Sequence, residues 1–293
     1  MKRLNKTFFA FLLALLPMMA MAQIDGEFIK PRPGKFLLQN ATVVTITKGV
    51  LNNTSVLVED GKIKEIGANI SASDAEVIDC TGKFIYPGMI DSGTKLGLVE
   101  VSSVPETVDY AEIGNFSPNM QALTAVNPNS VAIPVTRVSG VTTVLTVPAG
   151  GLFPGTAALI NLNGYTPDQM YAGFKVMNFP SSGRRGRFDR RSDDEIKKAN
   201  EKALKEANDL WDNAKSYASM AADGAELEYY PEMEQFAKAT TGELPLLIEV
   251  NAASDIQAAI KWLEGKDAKV IFTGVSEGWR VADSIATANI PVI

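Results

Sequence analysis

The feature that most constrains the fold is a change in the spacing of strand-forming runs at Pro87-Gly88. Before it, short β-branched or alternating runs follow one another with only turn residues between them. They are Phe36-Leu37-Leu38, Ala41-Thr42-Val43-Val44-Thr45-Ile46, Ser55-Val56-Leu57-Val58, Ile63-Lys64-Glu65-Ile66, Val77-Ile78-Asp79 and Lys83-Phe84-Ile85-Tyr86. Such a series predicts a small β-rich unit, read as a β-sandwich segment over residues 23–86. Within it, Glu59-Asp60-Gly61-Lys62 predicts a two-residue hairpin turn, because Asp-Gly supplies the positive φ angles that turn requires.

Beyond Pro87-Gly88 the strand signals are spaced more widely. Met89-Ile90-Asp91 reads as a short apolar strand. The run from Gly140 to Val147 is apolar enough for burial on both faces and ends in the loop Pro148-Ala149-Gly150-Gly151. Thr156 to Leu162 reads as a further strand. Ser192-Asp193-Asp194-Glu195 has the form of a capping box and opens a predicted helix over 197–217, on which Trp211 is a packing residue. The last stretch then alternates: strand 244–250, helix 253–263, strand 269–273, helix 276–288, and a new strand beginning at Ile290-Pro291-Val292-Ile293. Alternating βα units predict a parallel sheet or barrel, so residues 87–293 read as an incomplete (β/α)8 TIM-like barrel. Its ending inside an apolar strand reads as a C-terminal truncation.

Charge and composition remove several functions. Lys2, Arg3 and Lys6, the apolar run 8–16, and Ala20-Met21-Ala22 before Gln23 together predict a signal peptide over residues 1–22. The apolar run is shorter than the roughly 20 residues a spanning helix needs, so the mature chain is expected to have no membrane span and to be periplasmic or secreted. Losing those three basic residues takes the net charge from −6 to −9, which argues against a nucleic-acid partner. Cys80 is the sole cysteine, so no intramolecular disulfide can form, and its apolar flank marks it as a small core residue. Arg184, Arg185, Arg187, Arg190 and Arg191 crowd a Ser/Gly-rich loop, read as a solvated loop in preference to a phosphate site. The chain contains no histidine, which removes the usual metal ligand and the usual general base together.

Pro87-Gly88-Met89-Ile90-Asp91-Ser92-Gly93-Thr94-Lys95-Leu96-Gly97, after the β-rich segment with Gly61-Lys62-Ile63-Lys64-Glu65-Ile66-Gly67 and Asp79-Cys80-Thr81-Gly82-Lys83, resembles the amidohydrolase superfamily, in particular its imidazolonepropionase-like and dihydroorotase-like members. The resemblance spans roughly residues 36–293. It implies a β-sandwich followed by a (β/α)8 barrel, and hydrolysis of carbon–nitrogen bonds other than peptide bonds, in cyclic amides or similar compounds. The family norm is a divalent metal such as zinc, held by histidines at the strand ends. Here the two first-strand histidine positions of the Pro-Gly-x-Ile-Asp-x-His-x-His-x-Gly pattern read Gly93 and Lys95, the fifth-strand position reads Glu249, and the sixth reads Thr273.

That substitution pattern makes metal-dependent hydrolysis doubtful, since a metal both activates water and polarises the carbonyl. No cofactor is predicted. Lys95 and Glu249 are the catalytic candidates at the barrel mouth: they can bind a carboxylated ligand or transfer a proton, or simply form an ion pair filling the space of the metal. Asp91 reads as structural, and Glu100, Asp109 and Glu112 as exposed loop residues. Two functions from different classes follow: an exported amidohydrolase-like enzyme with an altered site, or a non-catalytic barrel that binds a small molecule or partner.

Overall fold

The computed structural model describes residues 34–180 and 192–293; the expected signal peptide and the five loop arginines lie outside the described residues. Two compact units divide the chain between Tyr86 and Pro87.

In the first unit, β1 (Lys35–Val44), β2 (Val50–Glu59), β3 (Lys62–Gly67), β4 (Glu76–Asp79) and β5 (Phe84–Ile85) form one five-stranded sheet. The expected sandwich is thus represented among the described residues by a single layer. The reason lies in β1, along one side of which β4 aligns with Phe36 to Gln39 and β5 with Thr42 and Val43, both parallel. The two runs read from the sequence as separate strands are one strand with a bulge. Asn40 adopts φ 61°, and the pairing slips between Leu38 and Ala41. An extra residue reverses the alternation of faces. Leu38, Ala41 and Val43 therefore share one face with Val56 and Cys80, while Leu37 turns to the other with Leu57 and Ile70. Asp60 and Gly61 take φ 50° and 74° between β2 and β3, as their sequence requires.

The second unit contains β6 (Met89–Thr94), α1 (Ala122–Ala125), α2 (Ala132–Val138), β7 (Val141–Thr146), β8 (Gly155–Asn161), α3 (Pro167–Met170) and β9 (Tyr171–Pro180). It continues with α4 (Asp193–Ala222), α5 (Pro231–Thr240), β10 (Leu246–Val250), α6 (Ala253–Leu263), β11 (Val270–Gly274) and α7 (Ala282–Thr287). Its six strands pair in sequence order, from β6 at one end to β11 at the other, as a partial TIM-like barrel. Val292 adds a parallel bridge to Phe272, beginning a further pairing beside β11.

The centre of the sheet departs from the expected βα alternation. β6–β7, β9–β10 and β10–β11 are parallel, but β8 runs antiparallel to both β7 and β9. A parallel return needs a crossover of about a dozen residues, usually a helix. The connections 147–154 and 162–170 are too short for one, and the first carries Pro148, Gly150, Gly151 and Pro154. The chain therefore meanders there.

α4 starts at the capping box: Ser192 Oγ accepts from Glu195 N–H at 3.3 Å, and Ser192 N–H donates to Glu195 Oε2 at 2.7 Å. Ala207, Trp211 and Ala214, spaced i, i+4, i+7, bury one stripe of this helix. That stripe meets Phe236 of α5, Ile256 and Ala259 of α6, and the sheet residues Met177, Phe179, Leu246, Ile248 and Phe272. Trp211 stands edge-on to Phe236 and to Trp262, so it packs as the sequence predicted. The opposite face of the sheet holds a smaller cluster, Leu145, Ala157, Val176 and Leu247, joined by Ile271.

Candidate functional site

Residues paired across a sheet project to the same face. Leu247 pairs with Ile271, and Glu249 with Thr273, so those two polar residues stand side by side on the face opposite the helix-packed core. They form the last layer of that face at the C-terminal ends of β10 and β11. Below them the surface is apolar, made by Leu247, Ile271, Val176 and Leu145. The adjoining Asn178 of β9 is buried and donates from Nδ2 to Pro148 O at 2.8 Å, tying β9 to the loop after β7.

At the other end of the sheet, Val147 N–H donates to Thr94 O at 2.8 Å and Thr146 Oγ1 donates to Leu96 O at 3.1 Å. These bonds fix the segment carrying Gly93 and Lys95. Asp91, which is exposed, accepts from Gly93 N–H at 3.1 Å. The chain then folds back through the Val99–Val108 bridge, and Ala149 N–H donates to Tyr110 O at 2.7 Å. Tyr110 is thereby set beneath Lys95, whose ammonium lies 3.5 Å from the ring centroid. Glu100 accepts from Asn127 Nδ2 and Ser130 Oγ, both at 3.0 Å, and serves the turn at 127–130. Asp109 and Glu112 are exposed.

The ends of β10 and β11 form a tight polar corner organised by Asn251. Its Nδ2 donates to Glu249 Oε1 at 3.4 Å, its Oδ1 accepts from Ser276 Oγ at 2.9 Å, and its backbone carbonyl accepts from Glu277 N–H at 2.9 Å. Gly274 approaches so closely that a Cβ there would lie 2.7 Å from Asn251 Oδ1. The next residue, Val275, holds φ 42°, an unusual angle for a β-branched side chain, with its N–H donating to Val250 O at 2.7 Å. Glu277 Oε2 accepts from Ala253 N–H at 2.9 Å at the start of α6, and this bond holds its carboxyl below the ordinary range. Within the first turn of α6, the Asp255 pKa is pushed upward, chiefly by burial, although Asn200 Nδ2 donates to it at 3.4 Å.

Of the four strand-end residues singled out from the sequence, Glu249 and Thr273 are neighbours, whereas Lys95 and Gly93 belong to the opposite end of the sheet. Lys95 takes Tyr110 as its partner, and among the described residues no ion pair joins it to Glu249. Tyr110, Asn251 and Ser276 were missed. Asn251 was detectable as the first polar residue after the strand Leu246–Val250, the place where barrel folds gather site residues.

The donor set does not fit the divalent metal of such barrels. Gly93 offers no side-chain donor, Lys95 an ammonium, Thr273 a hydroxyl, and only Glu249 a carboxylate. Among the described residues no three His, Cys, Asp or Glu side chains converge as a metal-ligand group.

The fold is shared with a solved structure, an amidohydrolase from Thermotoga maritima MSB8. It is 25% identical, with a TM-score of 0.76, over 88% of this chain and 69% of that one. This solved structure and two curated relatives support the amidohydrolase superfamily as the group to which the chain is similar. A D-hydantoinase from Geobacillus stearothermophilus is 45% identical over 62 residues, which is 21% of this chain and 13% of the relative. A dihydroorotase from Bacillus cytotoxicus is 47% identical over 58 residues, 20% of this chain and 12% of the relative. The matched segments thus span only about an eighth of these curated relatives. No family model matches the chain.

Proposed function

We propose that this chain is an amidohydrolase-type barrel that binds a small carboxylated or cyclic-amide ligand at its strand ends without metal-assisted hydrolysis of its own. The observation carrying this reading is the identity and placement of the strand-end groups. An ammonium resting on an aromatic ring replaces one ligand position, and open space at Gly93 replaces another. Lys95 is suited to a carboxylate, because its cation is held at the surface by a ring that does not neutralise it. The class of ligand is drawn from the relatives, a D-hydantoinase and a dihydroorotase. The basic, apolar and Ala-x-Ala start favours work outside the cytoplasm.

A second reading is favoured by the Asn251 corner. Glu249 sits at a strand end with Asn251 on one oxygen, and an oriented carboxylate is a candidate general base for metal-free hydrolysis of a non-peptide carbon–nitrogen bond. One experiment separates the two. The purified protein is given zinc, dialysed and assayed for bound metal, then tested with hydantoin and a carboxylated cyclic amide for turnover and for thermal stabilisation. Stabilisation without turnover, lost in Lys95→Met, supports the binding barrel. Turnover lost in Glu249→Gln supports the hydrolase. Stoichiometric metal with metal-dependent turnover overturns both.

A further inference from the structure

Away from the strand ends, the turn between α4 and α5 carries a recess that neither reading uses. It has a volume of about 430 Å3 and is lined by Tyr217, Leu227, Glu228, Tyr229 and Tyr230. We propose that this recess binds an organic ammonium group, with Tyr217, Tyr229 and Tyr230 offering ring faces and Glu228 the counter-charge.

Its walls are set by ordered elements. Tyr217 is half-buried on α4 and packs against the main core of the second unit. Tyr230 is the N-cap residue of α5, and its carbonyl accepts from Glu234 N–H at 2.9 Å. Between them the chain leaves α4 through backbone bonds from Gly224 N–H to Ala221 O and from Ala225 N–H to Met220 O, both at 3.1 Å. Tyr229 stands between these anchored residues and is 81% exposed, an unusual position for a large ring with no packing role.

Between Lys215 and Lys238 the connecting segment is acidic. From Ser216 to Ala237 the sequence carries Asp223, Glu226, Glu228, Glu232 and Glu234 and no lysine or arginine. α4 ends beside the recess with no basic residue in its last turn, so the negative end of its dipole is left for a ligand cation. Aromatic faces attract cations through the ring quadrupole, and a recess lined by three tyrosines and a carboxylate would favour a large, weakly hydrated ammonium over a small metal ion.

The test titrates the full chain with choline at low salt, by calorimetry or by NMR of the tyrosine ring protons. The neutral isostere 3,3-dimethylbutan-1-ol serves as the comparison. Saturable choline binding is expected, with the isostere binding markedly less. Tyr229→Ala should weaken choline by about 2- to 5-fold, the range for one exposed cation–aromatic contact. Glu228→Gln should weaken it and reduce its salt dependence. Both side chains are exposed, so the variants should melt as the parent does. Equal binding of choline and the isostere, no saturable binding, or unchanged affinity in both variants would overturn the proposal.

Discussion

Replacing Gly274 by alanine should damage the corner at β10 and β11 far more than the same change at another glycine of similar backbone conformation. Gly274 holds φ 86° and Gly265, just after α6, holds φ 75°. An alanine in this left-handed region costs about 1–2 kcal/mol at either site. At Gly265 nothing lies within 4 Å of the added carbon, so that is the whole effect. At Gly274 the carbon meets Asn251 Oδ1 at 2.7 Å and Asn251 Cγ and Nδ2 at 3.3 Å. Asn251 cannot turn aside without losing its bond from Ser276 and its contact with Glu249. One such bond is worth about 1 kcal/mol net, and displacing packed atoms adds a similar amount. Gly274→Ala should therefore be about 1–2 kcal/mol worse than Gly265→Ala in urea denaturation. Trp211, Trp262 and Trp279 all lie in the second unit, so their fluorescence reports that unit alone. Adding Asn251→Ala should recover roughly 1 kcal/mol of the difference as a non-additive coupling. Equal losses for the two glycines, or strict additivity in the double variant, would refute the idea that Asn251 is held in place.

Phe236→Ala should cost about 3–5 kcal/mol in the same assay, because the ring is fully buried against Phe153, Phe116 and Trp211; a loss under 1 kcal/mol would contradict that packing. Glu277 has a lowered pKa, so its contribution to stability is present above its unfolded pKa and is lost as pH falls through the folded one. Glu277→Gln should accordingly flatten the acid limb of a stability–pH profile, and an unchanged slope would count against the bond to Ala253. Asp255 is shifted the other way: its charged form is resisted by burial, and the resulting penalty is relieved as pH falls through the raised folded pKa. Asp255→Asn should be neutral or stabilising at pH 7, with its advantage over the parent shrinking toward acid pH; clear destabilisation at pH 7 would show that the carboxylate is needed.

Features governed by local chemistry were the legible ones. Asp60-Gly61 specified its turn through backbone angles alone, Ser192 and Glu195 specified a helix start, and the parallel strands β10 and β11 were evident from apolar runs separated by a helix. The first-strand segment from Pro87 to Gly97 carried the resemblance to the amidohydrolase superfamily. What stayed hidden depended on geometry between segments. The bulge at Asn40 joins two apparent strands because asparagine tolerates positive φ, which composition does not reveal. The reversal at β8 turns on loop length: Thr156 to Leu162 reads equally well in either direction, and only the short connections on both sides decide it. At the site, Tyr110 lies fifteen positions beyond Lys95 and reaches it through a bridge at Val99 and Val108 that no periodicity signals.

On the binding-barrel reading proposed above, the pairing of Lys95 with Tyr110 would account for a mouth that needs no metal. A metal centre neutralises converging carboxylates and imidazoles, so deleting the metal while keeping its ligands leaves like charges or orphaned lone pairs facing one another. Here those positions carry one carboxylate, one hydroxyl, one ammonium and a bare backbone, so no such repulsion arises. The carboxylate is engaged by Asn251 and the ammonium by a ring, and each contact needs only its own end of the sheet. On that reading, two separate, locally satisfied charges would take the place of a centre that requires convergence. A ligand offering an anion to Lys95 and a hydrogen-bond donor to Glu249 would be the species able to use both.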